Sequence, residues 1–240
     1  MQDNTLERIV PDNMDDNDAF DRLTLQLHIE RYQFAIRYLL PGKLLDIACG
    51  TGYGAYQILQ SEKFGESLVY AVDSDAGAIE YGKSRYAHPR LSFICADARD
   101  YSGQVLYDSI VSLETIEHLR DPESYAKNLN SLLKKDGILI ISAPVTPSTD
   151  ANPHHFTDFT ANSFRKLLYK SGFSLVAELL QKQPYSPGDL FSRKNKRLSQ
   201  IRSHLGRFYV KNPRVLINRI HSLFTDGFVN KYLTLALRKT

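Results

Sequence analysis

The chain alternates between short apolar runs and segments in which apolar residues recur at helical spacing. A first helix is predicted over residues 20–39 and ends before Pro41-Gly42. Seven strands are predicted at "KLLDIA", "SLVYAVD", "LSFICAD", "YDSIVSL", "GILIISAP", "FSLVAELLQ" and "KYLTLALRK". Further helices are predicted between them, at "GYGAYQILQS", at "DAGAIEYGKSRY", from Asp121 onward, and at "TANSFRKLLYKSGF", with Thr160 as N-cap and Gly172 at its end.

This order of elements predicts an α/β fold with a mostly parallel, doubly wound sheet, because strands that alternate with helices pair through right-handed crossovers. Ligands of such sheets bind at the carboxyl ends of the strands. We expect one domain over residues 1–240, with residues 1–40 as a helical cap. Residues 186–228 lie between the last two predicted strands, and we expect a basic helical insertion or lid there.

Charge is unevenly distributed along the chain, although its net value is only +3. Residues 12–21 contain five aspartates, whereas residues 190–225 contain no acid and nine basic side chains. Such a basic stretch predicts an acidic partner, either an anionic acceptor molecule or a membrane surface touched from outside. A solvated helix face is the alternative. Nucleic acid is disfavoured because the stretch lacks the regular aromatic residues of a single-strand platform.

The two cysteines, Cys49 and Cys95, follow apolar strand-like runs and are expected to be buried, reduced thiols. No apolar run approaches the ~20 residues of a membrane span. The polar, acidic N-terminal residues do not resemble a secretory signal. These features predict a cytoplasmic protein without a transmembrane segment, and they leave the oligomeric state open.

A glycine turn follows the first predicted strand in "LLDIACGTGYGAYQIL". Gly50, Gly52 and Gly54 allow a sharp turn and a close approach of the backbone to a ligand, and the next helix offers free N–H groups. Gly50, Gly52 and Ala55 also satisfy the dinucleotide pattern G-x-G-x-x-G/A. A nicotinamide or flavin enzyme is therefore an alternative at this point.

Carboxylates at three predicted strand ends argue against a dinucleotide. Asp46 stands just before the glycine turn, where it would repel a pyrophosphate and attract an ammonium group. Asp73 and Asp97 end the second and third strands. Together the three acids suit a ligand with a cation, a ribose diol and an amino-bearing base. S-adenosylmethionine carries all three groups and no phosphate.

The motifs "LLDIACGTG", "VDSD", "ICADARD", "YDSIVSLETIEHL" and "LLKKDGILIISAP" together resemble class I S-adenosylmethionine-dependent methyltransferases over roughly residues 25–180. The resemblance implies a seven-stranded Rossmann-like sheet with the last strand antiparallel. It implies that Asp46 meets the methionine ammonium, Asp73 the ribose hydroxyls and Asp97 the adenine amino group, and the family usually has glycine where this chain has Ala48. Cofactor contacts are implied for Arg31, Asp46, Ala48, Gly50, Thr51, Gly52, Asp73, Ser74, Asp97, Ala98 and Leu113.

The opening segment, "ERIVP" followed by "HIERYQFA", resembles the leader of bacterial methyltransferases that act on glycans or related small molecules. That resemblance implies that Arg31 or Tyr32 lies near the carboxylate end of the cofactor and that His28 faces the active site. An exposed helix surface is the alternative for His28 and Arg31.

The motif "ETIEH" places Glu114, Glu117 and His118 just after the fourth predicted strand, and "NPHHFTDFT" places His155 after the fifth. The pattern resembles small-RNA 2′-O-methyltransferases and ubiquinone-pathway O-methyltransferases, which implies that Glu114, Glu117, His118 and His155 bind Mg²⁺ or Mn²⁺. A His155 side chain pointing away from the cofactor's sulfur, or pairing of Glu114 with a lysine or arginine, would rule out this metal site altogether. The alternative is catalysis without a metal, with His118 or His155 as the base and Glu117 as a buried, paired residue.

The leading functional hypothesis is methylation of a hydroxyl group on a small molecule or glycan, with a base or a metal assisting deprotonation. Methylation of an amine is the nearest alternative. A non-catalytic or nicotinamide-binding Rossmann module is the alternative from a different functional class.

Overall fold

The computed structural model describes residues 9–14, 17–103, 105–185 and 204–240. After a short 3-10 turn at Pro11–Asn13, helices and strands alternate along the chain. They are α1 (Ala19–Tyr38), β1 (Lys43–Ile47), α2 (Tyr53–Leu59), β2 (Leu68–Asp73), α3 (Ala76–Arg85), β3 (Leu91–Cys95), β4 (Tyr107–Ser112), α4 (Pro122–Leu132), β5 (Leu133–Pro144), α5 (Ala161–Lys170), β6 (Phe173–Pro184), α6 (Leu205–Lys211), α7 (Pro213–Asp226) and β7 (Val229–Lys239).

The seven strands form a sheet in the order β3-β2-β1-β4-β5-β7-β6. β1 to β5 are parallel, whereas β7 runs antiparallel to both of its neighbours. The doubly wound sheet and its antiparallel last strand are therefore confirmed. Chain order reverses between β1 and β4, which creates the crevice at the carboxyl strand ends where ligands of such sheets bind.

Apolar residues cover both faces of the sheet and bury it in two clusters. One cluster packs β4, β5 and β7 against α4 and α5, and the other packs β1 and β2 against α1, α2 and α3. Local signals set the helix ends: Asp18 caps α1, and Thr160 with Ser163 forms a capping box on α5. Helices therefore pack on both faces of the sheet and fix the positions of the strand ends.

Strand boundaries differ from the sequence prediction around β5. The residues "KKDG", whose Lys134, Lys135 and Asp136 precede the predicted strand "GILIISAP", lie inside one continuous strand, Leu133–Pro144. Its pairing with β4 shifts register between Tyr107 and Ser109. Asp136 takes a left-handed backbone angle, φ 62°, at this irregularity. A bulge absorbs the polar residues without ending the strand, which a hydrophobicity pattern does not reveal.

The predicted insertion at 186–228 is helical where it is described. Its first part, residues 186–203, lies outside the described residues, and residues 204–226 contain the whole of α6 and α7. Arg219 of α7 donates to both carboxylate oxygens of buried Asp150, at 2.7 and 2.6 Å, and to the Pro147 carbonyl at 2.6 Å. Tyr209 of α6 donates to Asp150 at 2.6 Å. The helix pair is therefore fixed to the loop that follows β5.

Two further expectations can be compared with the structure. Cys49 is buried, but Cys95 is exposed, so the prediction of two buried thiols is wrong for Cys95. The reason is its place at the end of an edge strand, β3, where no further strand covers it. Among the described helices, none is long and apolar enough to cross a membrane.

Candidate cofactor and active site

A cleft of about 470 Å³ opens at the carboxyl ends of β1 to β4. Seven of the residues implied for cofactor binding line it: Ala48, Gly50, Asp73, Ser74, Asp97, Ala98 and Leu113. His28 and Tyr32 from α1 line it as well, on the side that the opening segment implied. Among the other implied residues, Arg31, Asp46, Thr51 and Gly52 are not part of the cleft wall.

The turn after β1 has left-handed backbone angles at alternate residues. Ala48 has φ 58°, Gly50 has φ 58° and Gly52 has φ 79°. Left-handed geometry explains why the family usually has glycine at position 48, since alanine there costs roughly 1–2 kcal/mol. A Cβ on Gly52 would lie 2.3 Å from the ring of Phe93, so position 52 tolerates only glycine.

Asp73 holds the glycine turn in place from the end of β2. One carboxylate oxygen accepts from the Gly50 N–H at 2.8 Å, and the other accepts from the Asp75 N–H at 2.9 Å. Each oxygen has a second lone pair, and the residue lines the cleft. Asp73 can therefore accept hydrogen bonds from a ligand diol while it fixes the backbone.

Asp46 lies behind the cleft wall, 1% exposed, and accepts a hydrogen bond from the Tyr32 hydroxyl at 3.1 Å. Burial is the main cause that raises the pKa of its carboxyl to about 7. The Tyr32 hydrogen bond opposes this shift, whereas the charge of Asp73 adds to it. A ligand cation near Asp46 would therefore bind to a carboxyl that ionises close to neutral pH.

Asp97 forms an ion pair with Arg99, whose guanidinium binds both carboxylate oxygens, with Nη2 at 2.5 Å from Oδ2. This ion pair holds the pKa of Asp97 below its usual value. Arg99 also lines the cleft. The amino group of a bound adenine would have to share the Asp97 carboxylate with Arg99. The sequence motif "ICADARD" did not reveal this competition.

Arg31 is buried, at 1% exposure, and bridges three elements. Its Nε donates to Gln181 of β6 at 2.8 Å, and its guanidinium lies 4.6 Å from the ring centroid of Tyr232 on β7. Its Nη1 lies 3.5 Å from the Glu114 carboxylate. Arg31 therefore locks α1 onto the sheet, and its predicted place at the cofactor's carboxylate end stays a prediction.

The predicted metal site must be corrected at Glu114, whose carboxylate is engaged by other side chains. This carboxylate pairs with Arg31 and accepts a hydrogen bond of 2.6 Å from the Ser142 hydroxyl. The three remaining residues, Glu117, His118 and His155, do lie together, with one ligand atom of each within 4.8 Å of the others. The buried pairing of Glu114 with Arg31 depends on α1 crossing the sheet, so the local motif alone could not predict it.

His118 lies at the wall of the cleft, and its ring orientation is defined. Its Nδ1 lies 3.2 Å from the His154 carbonyl oxygen, which can only accept, so in the neutral ring Nδ1 carries the proton and Nε2 is the acceptor nitrogen. Nε2 lies 3.9 Å from the carboxylate of buried Glu117. The rings of His118 and His155 meet edge to face at 4.5 Å. This arrangement can accept a proton and stabilise the resulting charge.

Several cleft residues were missed by sequence reasoning. They are Tyr53, which begins α2, and His154 and Phe156, which lie on the loop after β5. The backbone N–H groups of Phe156 and Thr157 donate to the Glu117 carbonyl and hold this loop against the "ETIEH" turn. The histidine pair in "NPHHF" was a usable signal, because either member could face the cleft. His154 lines it, whereas His155 lies behind His118.

A family model described as a methyltransferase domain matches residues 42–187, more than half of the chain. The chain belongs to the class I S-adenosylmethionine-dependent methyltransferases. S-adenosylmethionine is the methyl donor of this family. The assignment replaces the nicotinamide enzyme as an interpretation of the glycine turn.

Similar proteins carry different names within this family. A probable S-adenosylmethionine-dependent methyltransferase of Mycobacterium tuberculosis is 31% identical over 72% of this chain and 62% of its own length. A malonyl-[acyl-carrier protein] O-methyltransferase of Priestia megaterium is 36% identical over 41% of this chain and 35% of its own length. The chain thus spans less than two thirds of these relatives.

Among solved structures, the N-methyltransferase NodS of Bradyrhizobium japonicum, in complex with S-adenosyl-L-homocysteine, aligns with a TM-score of 0.61. The alignment covers 93% of this chain and 89% of NodS at 15% sequence identity. Similarity at that level shows the fold alone. One relative is named for O-methylation and one structural neighbour for N-methylation, so the acceptor must be argued from the site.

Proposed function

We propose that this methyltransferase methylates a hydroxyl group of a small molecule or glycan, with His118 as the base. The observation that carries the proposal is the His118 ring at the cleft wall, with Nδ1 bound to a carbonyl and Nε2 beside the buried carboxylate of Glu117. A hydroxyl must lose its proton to become an effective nucleophile, and an imidazole beside an acid is suited to accept it.

The cleft residues fit S-adenosylmethionine. Asp73 lines the cleft with a carboxylate of the kind that accepts from a ribose diol, and Asp46 is a buried acid behind the wall beside the glycine turn, suited to attract an ammonium group. The wall formed by the described residues carries no cluster of positive charge suited to a pyrophosphate. When bound, the cofactor supplies an electrophilic methyl group on a sulfonium. Ala48 and Gly50 let the backbone approach it, and Leu113 forms an apolar side of the cleft.

His118 Nε2 would accept the proton of the acceptor hydroxyl, whose oxygen would take the methyl group, and the cofactor when bound would supply that methyl and leave as the neutral thioether S-adenosylhomocysteine. The imidazolium that results lies 3.9 Å from the Glu117 carboxylate, which stabilises it in a buried setting. The His154 carbonyl holds the ring so that Nε2 stays the accepting atom. Phe156 and Leu119 line the same cleft as His118 and give its wall an apolar part.

Asp46 makes cofactor binding depend on pH. Because its pKa lies at about 7 in the free protein, the carboxyl is about one-tenth ionised one unit below that value and about nine-tenths ionised one unit above it. Only the ionised form attracts an ammonium group. We therefore expect the affinity for S-adenosylhomocysteine to rise about tenfold from one unit below to one unit above the pKa, as measured by isothermal titration calorimetry.

Methylthioadenosine, which lacks the ammonium group, is the matched ligand for that titration and should bind with little pH dependence. The variant Asp46→Asn should flatten the profile of S-adenosylhomocysteine as well. Equal slopes for the two ligands on the wild-type protein would contradict the role assigned to Asp46.

The acceptor class can be tested with S-adenosylmethionine carrying a labelled methyl group. Incubation with hydroxyl, amine and carboxylate acceptors, followed by mass spectrometry, identifies the atom that gains the label. Label on a hydroxyl oxygen supports the proposal. A carboxylate acceptor, such as the malonyl group named for the Priestia megaterium relative, is already an anion and needs no base, so its methylation would leave His118 without the proposed role.

A metal-assisted form of this reaction is the second candidate, favoured by the cluster of Glu117, His118 and His155. A divalent cation held there would lower the pKa of a coordinated hydroxyl. Because Glu114 pairs with Arg31, three candidate ligands remain in this cluster among the described residues. We therefore expect a chelator to spare methyl transfer. Loss of activity under chelation, with recovery on adding Mn²⁺ but not Ca²⁺, would establish the metal-assisted form instead.

A further inference from the structure

Helix α7 presents an apolar side to solvent. Ile217, Ile220 and Phe224 are exposed, at 64%, 44% and 88%, and their spacing places them on one face of the helix. The opposite face contains Arg219, in its ion pair with Asp150, and buried Ser222. A surface helix of a globular protein normally has the reverse arrangement, with apolar residues inward. The outward apolar face therefore requires a partner.

The apolar surface extends beyond α7 and is surrounded by positive charge. Val210 on α6 is 84% exposed, and Phe228 after α7 is 49% exposed. Arg207 and Lys211 lie within one helical turn of Val210 on α6, and Arg214 lies one turn before Ile217 on α7; all three are exposed. No acid occurs between residues 190 and 225. We call this surface the α6–α7 face: Arg207, Val210, Lys211, Arg214, Ile217, Ile220, Phe224 and Phe228.

We propose that the α6–α7 face docks onto the surface of a bilayer that contains anionic phospholipids. Basic residues beside exposed aromatic and aliphatic side chains are the features of a helix that lies in a membrane interface. The arginines and the lysine attract the negative headgroups, while Phe224, Ile217 and Val210 enter the boundary of the acyl chains. The inference concerns where the enzyme works and is independent of the acceptor and of the base.

Charge decides between this partner and a second copy of the chain. A symmetric dimer through the α6–α7 face would bring Arg207, Lys211 and Arg214 of both copies into one interface. The stretch from residue 190 to residue 225 offers no acid to neutralise them, and like charges facing each other oppose association. A surface with a high density of negative headgroups removes that repulsion.

The α6–α7 face is connected to the active site by the Asp150 anchor. Arg219 projects from the inner side of α7 to Asp150 and the Pro147 carbonyl, on the loop that also carries His154 and Phe156 of the cleft wall. A docked helix pair would therefore hold this loop, and with it the mouth of the cleft, next to the membrane surface.

The proposal can be tested with a single fluorescent reporter, because the chain contains no tryptophan. The full-length variant Phe224→Trp is mixed with phosphatidylglycerol vesicles or with phosphatidylcholine vesicles. We expect a blue shift of the emission and quenching by brominated acyl chains with phosphatidylglycerol only, weakened by added salt. The matched reporter Leu106→Trp, at a side chain 51% exposed on the sheet end before β4, should show neither effect.

Vesicle co-sedimentation of two double variants separates the apolar and electrostatic contributions. Ile217→Ser with Phe224→Ser, and Arg207→Glu with Arg214→Glu, should each weaken binding to phosphatidylglycerol vesicles by about tenfold or more. Lys135→Glu, at an exposed lysine of β5, is the charge control and should bind like the wild type. Because the substituted side chains are exposed, the melting temperature of each variant should equal that of the wild type.

Four results would overturn the proposal. The first is no binding of the wild-type protein to phosphatidylglycerol vesicles. The second is equal binding by the Ile217→Ser, Phe224→Ser variant. The third is dimerisation of the wild-type protein, seen by analytical ultracentrifugation, that the same double variant abolishes. An acidic protein that binds the α6–α7 face while vesicles do not would likewise replace the membrane as the partner.

Discussion

Replacement of His118 by glutamine is expected to lower kcat for methyl transfer by about 10²–10⁴-fold, the usual contribution of a positioned general base. Glutamine keeps a polar side chain at the cleft wall but cannot accept the hydroxyl proton as the imidazole does. The Kd for S-adenosylhomocysteine should stay unchanged, since His118 contributes to the acceptor side of the cleft. Single-turnover kinetics with labelled cofactor, together with calorimetry, measure both quantities.

His204→Gln is the matched control, because His204 is exposed at the start of α6 and lies outside the cleft wall. It should retain wild-type kcat. If His118→Gln retains more than about one-tenth of the wild-type kcat, the residue is not the base. Glu117→Gln should have an intermediate effect, because it removes the charge beside Nε2 and leaves the accepting atom in place.

Replacement of Gly54 by alanine is expected to destabilise the fold by roughly 2–4 kcal/mol. A Cβ at this position would lie 1.8 Å from the Tyr32 ring. The ring cannot simply move aside, because it packs edge to face on Tyr53 at 5.6 Å and its hydroxyl binds buried Asp46. Urea denaturation gives the free energy of unfolding, and calorimetry should show weaker binding of S-adenosylhomocysteine because Asp46 loses its neighbour.

A double-mutant cycle makes the Gly54 prediction specific. In a Tyr32→Ala background, Gly54→Ala should cost far less, since the clashing ring is absent. Gly206→Ala in α6, where nothing lies within 4 Å of the added Cβ, should be neutral or should stabilise the fold by up to about 1 kcal/mol. Equal costs of Gly54→Ala in the two backgrounds would show that the clash with Tyr32 is not the cause.

The sequence determined the class of fold and the cofactor edge of the sheet. Alternating apolar and helical periods predict parallel strands, and the carboxyl ends of parallel strands meet at one edge. Ala48, Asp73 and Asp97 therefore had to lie close together once β1, β2 and β3 were recognised, and all three line the cleft. To predict that these residues lie together, it is enough to know where each strand ends and that the strands run in the same direction.

Only the tertiary structure decided which charged side chains at the site are paired with other protein groups and which can bind a ligand or a metal. Glu114 matched a metal motif, yet α1 brings Arg31 to within 3.5 Å of it across the sheet. Arg31 in turn binds Gln181, 150 residues away in sequence. A motif describes spacing along the chain, whereas burial forces each charge to find a partner from whichever element packs above it.

The sequence likewise could not predict which face of α7 points to solvent. Helical periodicity places Ile217, Ile220 and Phe224 on one face but does not say whether that face points inward or outward. Asp150, buried at 1% exposure on the loop after β5, decides it by binding Arg219 on the opposite face. A buried carboxylate is far more costly to leave without a cation than apolar side chains are to expose, so the ion pair sets the direction of the helix.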